Sequence, residues 1–201
     1  MSTPSTAAST CGAVRGRAGT EGGASGFVGV DWLSGEELHR RVITEGVLRA
    51  ERSVWIATAN LKDMYVAGPR RRYRPVLEEF ARMAARGVQF RVIHAEVPSR
   101  AFRESFDALP GLVEGGLELQ ICPRSHWKMV IVDGRLGYTG SANFTGAGLG
   151  AKSEARRNLE FGAVGDDPAF VARLEEEFDR FWMGEHCDGC GRRELCPDPI
   201  R

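Results

Sequence analysis

The sequence predicts an α/β fold, a sandwich in which a mixed β-sheet carries helices on both faces. Two kinds of segment point there. Short apolar runs rich in β-branched and aromatic residues, such as Val54-Trp55-Ile56-Ala57-Thr58-Ala59 and Val88 to His94, read as buried strands. Other stretches repeat apolar residues at helical spacing. The two kinds alternate along most of the chain, which is the order a layered α/β domain requires. At 201 residues, with 42% hydrophobic and 27% charged, the composition suits a single core.

Residues 1–26 are almost entirely Ser, Thr, Ala, Gly and a few charges. They hold too little apolar surface to offset the entropy of ordering, which predicts a disordered N-terminal tail. From Phe27, Ser34 with Glu37 forms a capping box that opens a helix running to about Glu51, and the strand from Val54 follows. Pro75 suits the first turn of a helix whose Val76, Leu77, Phe80 and Ala84 share a face, and Gly87 closes it before the strand Val88 to His94. Leu117 to Ile121, Lys128 to Val132, Leu136 to Thr139 and Leu159 to Val164 are further strands. Asp167-Pro168 then opens a helix with Phe170, Val171, Leu174, Phe178, Phe181 and Trp182 on one stripe. The folded domain is thus expected over 27–183, followed by a cysteine-rich C-terminal knuckle over 184–201.

The formal net charge is zero, so no global field draws the chain to a polyanion, and such a site must be a local patch. No run of 18 apolar residues and no basic-then-apolar leader occurs, so the expectation is a cytoplasmic protein with no stable membrane insertion.

The chemistry concentrates in Ser125-His126-Trp127-Lys128-Met129-Val130-Ile131-Val132-Asp133, then Gly140-Ser141-Ala142-Asn143, then Asn158-Leu159-Glu160. His126 and Lys128 stand two apart at the start of a strand, so both side chains point to one face. Asn158 and Glu160 repeat that spacing. Ser141 and Asn143 sit in a Gly-bracketed turn whose hydroxyl, amide and backbone donors can face an anion. Lysine is scarce, only Lys62, Lys128 and Lys152, so Lys128 is a minority choice beside a histidine. These residue types suit phosphodiester hydrolysis without a metal. An imidazole can attack phosphorus, a second can protonate the leaving oxygen, and Lys, Ser and Asn can neutralise the non-bridging oxygens. A carboxylate such as Glu160 on the far ring nitrogen of His126 would fix its tautomer. His39 and His94 match no motif and read as packing or surface histidines.

His-x-Lys-x4-Asp followed by Gly-Ser-x-Asn and Asn-x-Glu resembles the phospholipase D superfamily, in particular its small single-motif bacterial nucleases. The motifs span Ser125 to Glu160, and the α/β pattern extends the likeness over about 27–183. The resemblance implies a phospholipase D-like sandwich with His126 as nucleophile and Lys128, Ser141 and Asn143 as phosphate ligands. It further implies Glu160, with Asn158 in its motif, as the orienting partner of His126, and Asp133 as mainly structural support. Trp127, at a variable position, should face away into packing. With one such motif per chain, a second copy is expected from a homodimer that shares the site through a phosphohistidine intermediate, with no cofactor for catalysis.

The substrate is read from the surroundings. Arg70, Arg71, Arg72, Tyr73 and Arg74, after the turn-forming Gly68-Pro69, could grip phosphates and stack a base, which favours DNA or RNA as the substrate. A solvated loop balanced by Glu78 and Glu79 is the plainer reading of those arginines. The alternatives are a phospholipid phosphodiesterase, of phospholipase D or cardiolipin hydrolase type, and a non-catalytic nucleic-acid-binding module. The five cysteines are an odd number, with Cys187, Cys190 and Cys196 crowded near the C-terminus. Their spacing suits structural zinc, with His186 or Cys122 as fourth ligand, and an iron–sulfur cluster is the less favoured alternative.

Overall fold

A computed structural model describes residues 29–67, 73–150 and 152–200. The tail expected over 1–26 lies outside the described residues, as do Arg70, Arg71 and Arg72. Nine strands and four α-helices are described: β1 Val30–Ser34, α1 Gly35–His39, β2 Ser53–Thr58, β3 Tyr65–Ala67, β4 Tyr73–Pro75, α2 Val76–Ala84, β5 Gln89–His94, α3 Arg100–Asp107, β6 Leu117–Ile121, β7 Met129–Val132, β8 Leu136–Gly140, β9 Phe161–Gly165 and α4 Pro168–Trp182. Seven strands form one sheet in the order β1-β9-β8-β7-β2-β5-β6. β2, β5 and β6 run parallel and every other neighbouring pair is antiparallel. The sheet is mixed, as expected.

Alternation along the central strands divides the core into two layers. Val54 and Ile56 of β2, with Val130 and Val132 of β7, join the cluster containing Leu38, Val42 and Ile43 and the α2 residues Leu77, Phe80 and Met83. Ala57 of β2, with Met129 and Ile131 of β7, joins the opposite cluster, where α4 contributes Val171, Leu174, Phe178 and Phe181. Both faces are therefore covered. The expected stripe on α4 is the buried one, and Asp167 caps the helix by accepting a 2.9 Å hydrogen bond from the Phe170 N–H.

Several boundaries differ from the sequence reading. The long helix from Ser34 is short: α1 ends at His39 and continues as a wide π turn over Arg40–Thr44. Ser34 makes no side-chain cap bond and instead ends β1, a strand the sequence does not reveal. Gly46 interrupts the path before a 3-10 turn, Val47–Arg49, and packs so closely on the Val42 carbonyl and Leu136 that an added Cβ would lie 2.6 and 2.7 Å from them. Pro75 ends β4 rather than sitting in the first turn of α2. α3 is also unforeseen; Ser99 caps it by accepting from the Phe102 N–H at 3.2 Å. β9 begins at Phe161, so Asn158 and Glu160 precede it. Among the described residues no helix is long and apolar enough to cross a membrane.

Candidate active site

Strand direction decides which loops meet. β7 runs antiparallel to β2 with Met129 opposite Ala57, β8 places Thr139 opposite Met129, and β9 places Gly162 opposite Gly140. The start of β7, the ends of β2 and β8 and the start of β9 therefore share one end of the sheet. His126, Lys128, Ser141, Asn143, Asn158 and Glu160 all belong to the loops at that end. The spacing in sequence becomes convergence in space through these registers.

Lys128 Nζ lies 3.2 and 3.4 Å from the two ring nitrogens of His126 and donates to the His126 carbonyl at 2.8 Å. Burial pushes the Lys128 ammonium below its ordinary value, and the Glu160 carboxylate partly restores it. A phosphate in the same place would act in the direction of Glu160. Trp127, between these two residues, turns to the α4 layer and packs on Phe181 at 5.1 Å between ring centroids, as expected. The expected two-residue alternation holds, although regular strand begins only at Met129.

Asn143 is held by its carbonyl oxygen. Its Oδ1 accepts from the N–H groups of Ala59 at 3.1 Å and Asn60 at 3.3 Å, with the Thr58 hydroxyl at 3.2 Å. The two N–H donors fix the amide orientation and leave Nδ2 as the donor for a ligand, while the single Thr58 hydroxyl proton also has the Asn60 carbonyl within reach at 2.8 Å. Thr58, which the motifs do not single out, also accepts from the Phe144 N–H at 2.9 Å. Tyr138 pins the neighbouring residue: its phenol oxygen accepts from the Ala142 N–H at 2.9 Å. Both supports lie in strands and carry no motif, so nothing in their own spacing marks them.

The expected pairing of Glu160 with His126 is not what the structure shows. Ser141 donates its hydroxyl to Glu160 Oε2, and Asn158 Nδ2 donates to Oε1 at 3.1 Å. The cause is the β8–β9 approach. Gly140 and Gly162 face each other so closely that an added Cβ on Gly140 would lie 2.6 Å from the Gly162 Cα, and this brings Ser141 beside the residues that open β9. The Ser141 N–H donates to the Phe161 carbonyl at 3.0 Å, and the Phe161 N–H donates to Ser141 Oγ at 3.1 Å. Ser141, Asn158 and Glu160 thus form a hydrogen-bonded unit, with Glu160 close enough to Lys128 to act on its charge.

Asp133 is at the other end of β7, away from this group. Its carboxylate accepts from the N–H groups of Glu51, Arg52 and Ser53 at 2.9, 2.7 and 2.8 Å. Although it belongs to the catalytic motif, Asp133 is thus placed to tie β7 to the start of β2, in keeping with the structural support that the resemblance implies. Of the arginine segment, Tyr73 is exposed and Arg74 faces Glu79 at 3.4 Å, which realises part of the balanced-loop alternative. The β3–β4 hairpin leaves the sheet after β2, and the Lys62 N–H donates to the Phe144 carbonyl at 3.4 Å, so the hairpin departs from the same end of the sheet as the site.

His39 and His94 are packing residues. The ring Nδ1 of each faces a carbonyl, Leu149 at 2.6 Å and Glu96 at 2.8 Å, and burial lowers both values. Among the described residues no group of three or more His, Cys, Asp or Glu side chains is arranged to hold a metal ion. Cys187, Cys190, Cys196 and His186 nonetheless line one cavity, which Cys122 also enters. The Arg192 N–H and the Arg124 guanidinium hold the Cys190 thiol below its ordinary value.

A family model described as cardiolipin synthase, PLD-like domain, matches residues 43–182. Solved structures give the same fold at low identity. NucT from Helicobacter pylori is 14% identical with a TM-score of 0.53, over 75% of this chain and 93% of that one. The phospholipase D family member Nuc from Salmonella typhimurium is 19% identical with a TM-score of 0.53, over 76% and 93%. Phosphatidylserine synthase of Haemophilus influenzae Rd KW20 is 19% identical with a TM-score of 0.52, over 76% of this chain and 38% of that one. A comparison with curated protein sequences gave no match. The matched region holds every residue of the group built around His126, and the chain belongs to the PLD-like domain family.

Proposed function

We propose that the chain is a metal-independent phosphodiesterase that hydrolyses DNA or RNA, with His126 as nucleophile in a site shared by two copies. One observation carries this reading: His126, Lys128, Asn143, Ser141 and Glu160 gather at a single end of the sheet. In the first step a ring nitrogen of His126 forms a bond to phosphorus and the bond from phosphorus to the leaving oxygen breaks. An imidazolium gives that oxygen its proton. Water then attacks the phosphohistidine, passing a proton to the second imidazole, and His126 leaves. Lys128 and the Asn143 amide offset the charge on the non-bridging oxygens. Glu160 holds Ser141 and Asn158 in place and keeps an anion near Lys128.

The second imidazole follows by elimination among the four histidines of the chain. His39 is half-buried and His94 buried, both shifted toward the neutral form, and His186 packs against Trp127 and Phe181, on the side of the sheet that Trp127 faces. His126 of a second copy is the one that a two-fold axis would bring to the same phosphate. Exposed Trp32 and Phe161 support that arrangement, stacked at 5.4 Å beside Glu160, with Leu159 fully exposed next to them. Such an apolar rim suits burial against another chain. A nucleic-acid substrate is favoured by the basic hairpin that leaves from the site's end of the sheet. The family description and the phosphatidylserine synthase likeness keep a phospholipid as the second reading.

The test is to incubate the purified protein with labelled single- and double-stranded DNA, RNA and phospholipid vesicles in excess EDTA. Hydrolysis of a nucleic acid should persist and fall at least about 1000-fold in His126→Asn. Activity abolished by the chelator in protein that stays folded by circular dichroism would contradict the mechanism. Cleavage of vesicles alone would transfer the chemistry to lipid.

A further inference from the structure

The chain after α4 brings together reactive side chains that hydrolysis does not use. A cavity of about 200 Å³ lies between the segment 121–127 and this C-terminal stretch, and Cys122, Cys187, Cys190 and Cys196 all line it. All four are free thiols. Cys122 lies four residues before His126, while the other three come from more than 60 residues later in the chain. Four thiols from two distant segments have converged on one cavity.

Apart from His186 on Trp127 and Phe181, and Ile200 against Gly184, the C-terminal stretch is held there by weak contacts. Its regular structure is a single 3-10 turn, Arg193–Leu195, and Leu195 is exposed. The side-chain contacts that join it to residues 121–124 are long: Arg124 to the His186 carbonyl at 3.4 Å, Arg192 to the Pro123 carbonyl at 3.3 Å, and the Cys196 sulfur to the Ile121 carbonyl at 4.0 Å. Contacts of this length through exposed arginines stabilise weakly against the entropy of ordering the stretch. A metal link between the two segments would add the strength that these contacts lack.

The size of the space favours one kind of link. A single zinc ion binds thiolates at about 2.3 Å, which would bring the sulfurs to about 3.8 Å from one another. Among the described residues no such grouping of His, Cys, Asp or Glu exists. An iron–sulfur cluster places its four cysteine sulfurs on a wider tetrahedron around an inorganic core and fills a cavity. The surroundings match its needs. Four thiolates leave the cluster with net negative charge, and Arg124 and Arg193 both line the cavity. Trp127 and Phe181 close it on an apolar side, which limits access of water.

We propose that Cys122, Cys187, Cys190 and Cys196 ligate an iron–sulfur cluster that fastens the C-terminal stretch to the segment leading into His126. Cys122 then takes the fourth position, and His186 is a neighbour of the cluster and not a ligand. The proposal is independent of the hydrolytic reading, because its readout is metal content.

The full-length protein, purified without oxygen, is assayed for iron, acid-labile sulfide and zinc. Iron and sulfide are expected in equal amounts, about four of each per chain, with broad visible absorption. Cys122→Ser, Cys187→Ser, Cys190→Ser and Cys196→Ser should each lower bound iron several-fold. Cys11→Ser and His186→Ala should retain it. Because a cysteine variant could simply fail to fold, X-ray absorption at the iron edge of the unmutated protein supplies a second measurement, with only sulfur and iron neighbours expected. Zinc at one per chain without iron, even after reconstitution with iron and sulfide, would overturn the proposal. Iron retained in Cys122→Ser and lost in His186→Ala, or nitrogen bound directly to iron, would overturn the ligand assignment.

Discussion

Asp133 and Glu160 are both carboxylates of the motif set, and the structure gives them different tasks. Burial acts to raise the Asp133 value, but hydrogen bonds from the N–H groups of Ser53, Glu51 and Arg52, with the Arg52 charge, outweigh it and hold the group below the ordinary 3.8. A carboxyl whose folded value lies below its unfolded one contributes stability that is complete above the unfolded value and disappears as pH falls through the folded value. Asp133→Asn should therefore cost about 1–3 kcal/mol in urea unfolding at pH 7 and flatten the loss of stability below about pH 4. An unchanged unfolding midpoint with an unchanged acid limb would remove Asp133 from this role. The shared face of His126 and Lys128 is legible in the sequence because two residues of one extended segment set it. The partner of Glu160 is not, because it depends on how closely Gly140 and Gly162 let β8 and β9 approach.

At the scale of elements, legibility follows burial. β2, β6, β7 and α4 are readable because two-sided or one-sided burial imposes its period on the sequence. The helix expected from Ser34 is broken up: α1 gives way to a π turn at Arg40, and the path breaks again at Gly46, a close tertiary approach, before a 3-10 turn over Val47–Arg49. β1 and β3 hide for a different reason: they are short strands with exposed positions, so little apolar alternation marks them. The β3–β4 hairpin nevertheless bears on substrate choice. Replacing Arg70, Arg71, Arg72 and Arg74 with alanine should weaken nucleic-acid binding and lower the salt slope by about 0.7–0.9 for each phosphate no longer neutralised. Arg74, already opposite Glu79, should contribute least of the four. The rate at saturation should change less than the affinity. Unaltered affinity and slope would make this a solvated hairpin and remove the main support for a nucleic-acid substrate.

For the molecule as a whole, the proposed mechanism makes one chain half of a site. His126, Ser141 and Asn158 are exposed at the end of the sheet, and no other histidine of the chain is suited to protonate a leaving group there. Two imidazoles brought to one phosphate resist carrying charge together, so near neutral pH one tends to be neutral and the other protonated, as attack and departure require. On the proposed mechanism, assembly is part of the chemistry. Wild-type and His126→Asn subunits mixed under conditions of exchange, with exchange verified by mass, measure this directly. If both histidines of a dimer serve each phosphate, activity follows the square of the wild-type fraction, and an equal mixture keeps about a quarter of full activity. Linear dependence, with about half the activity retained, would contradict the shared site.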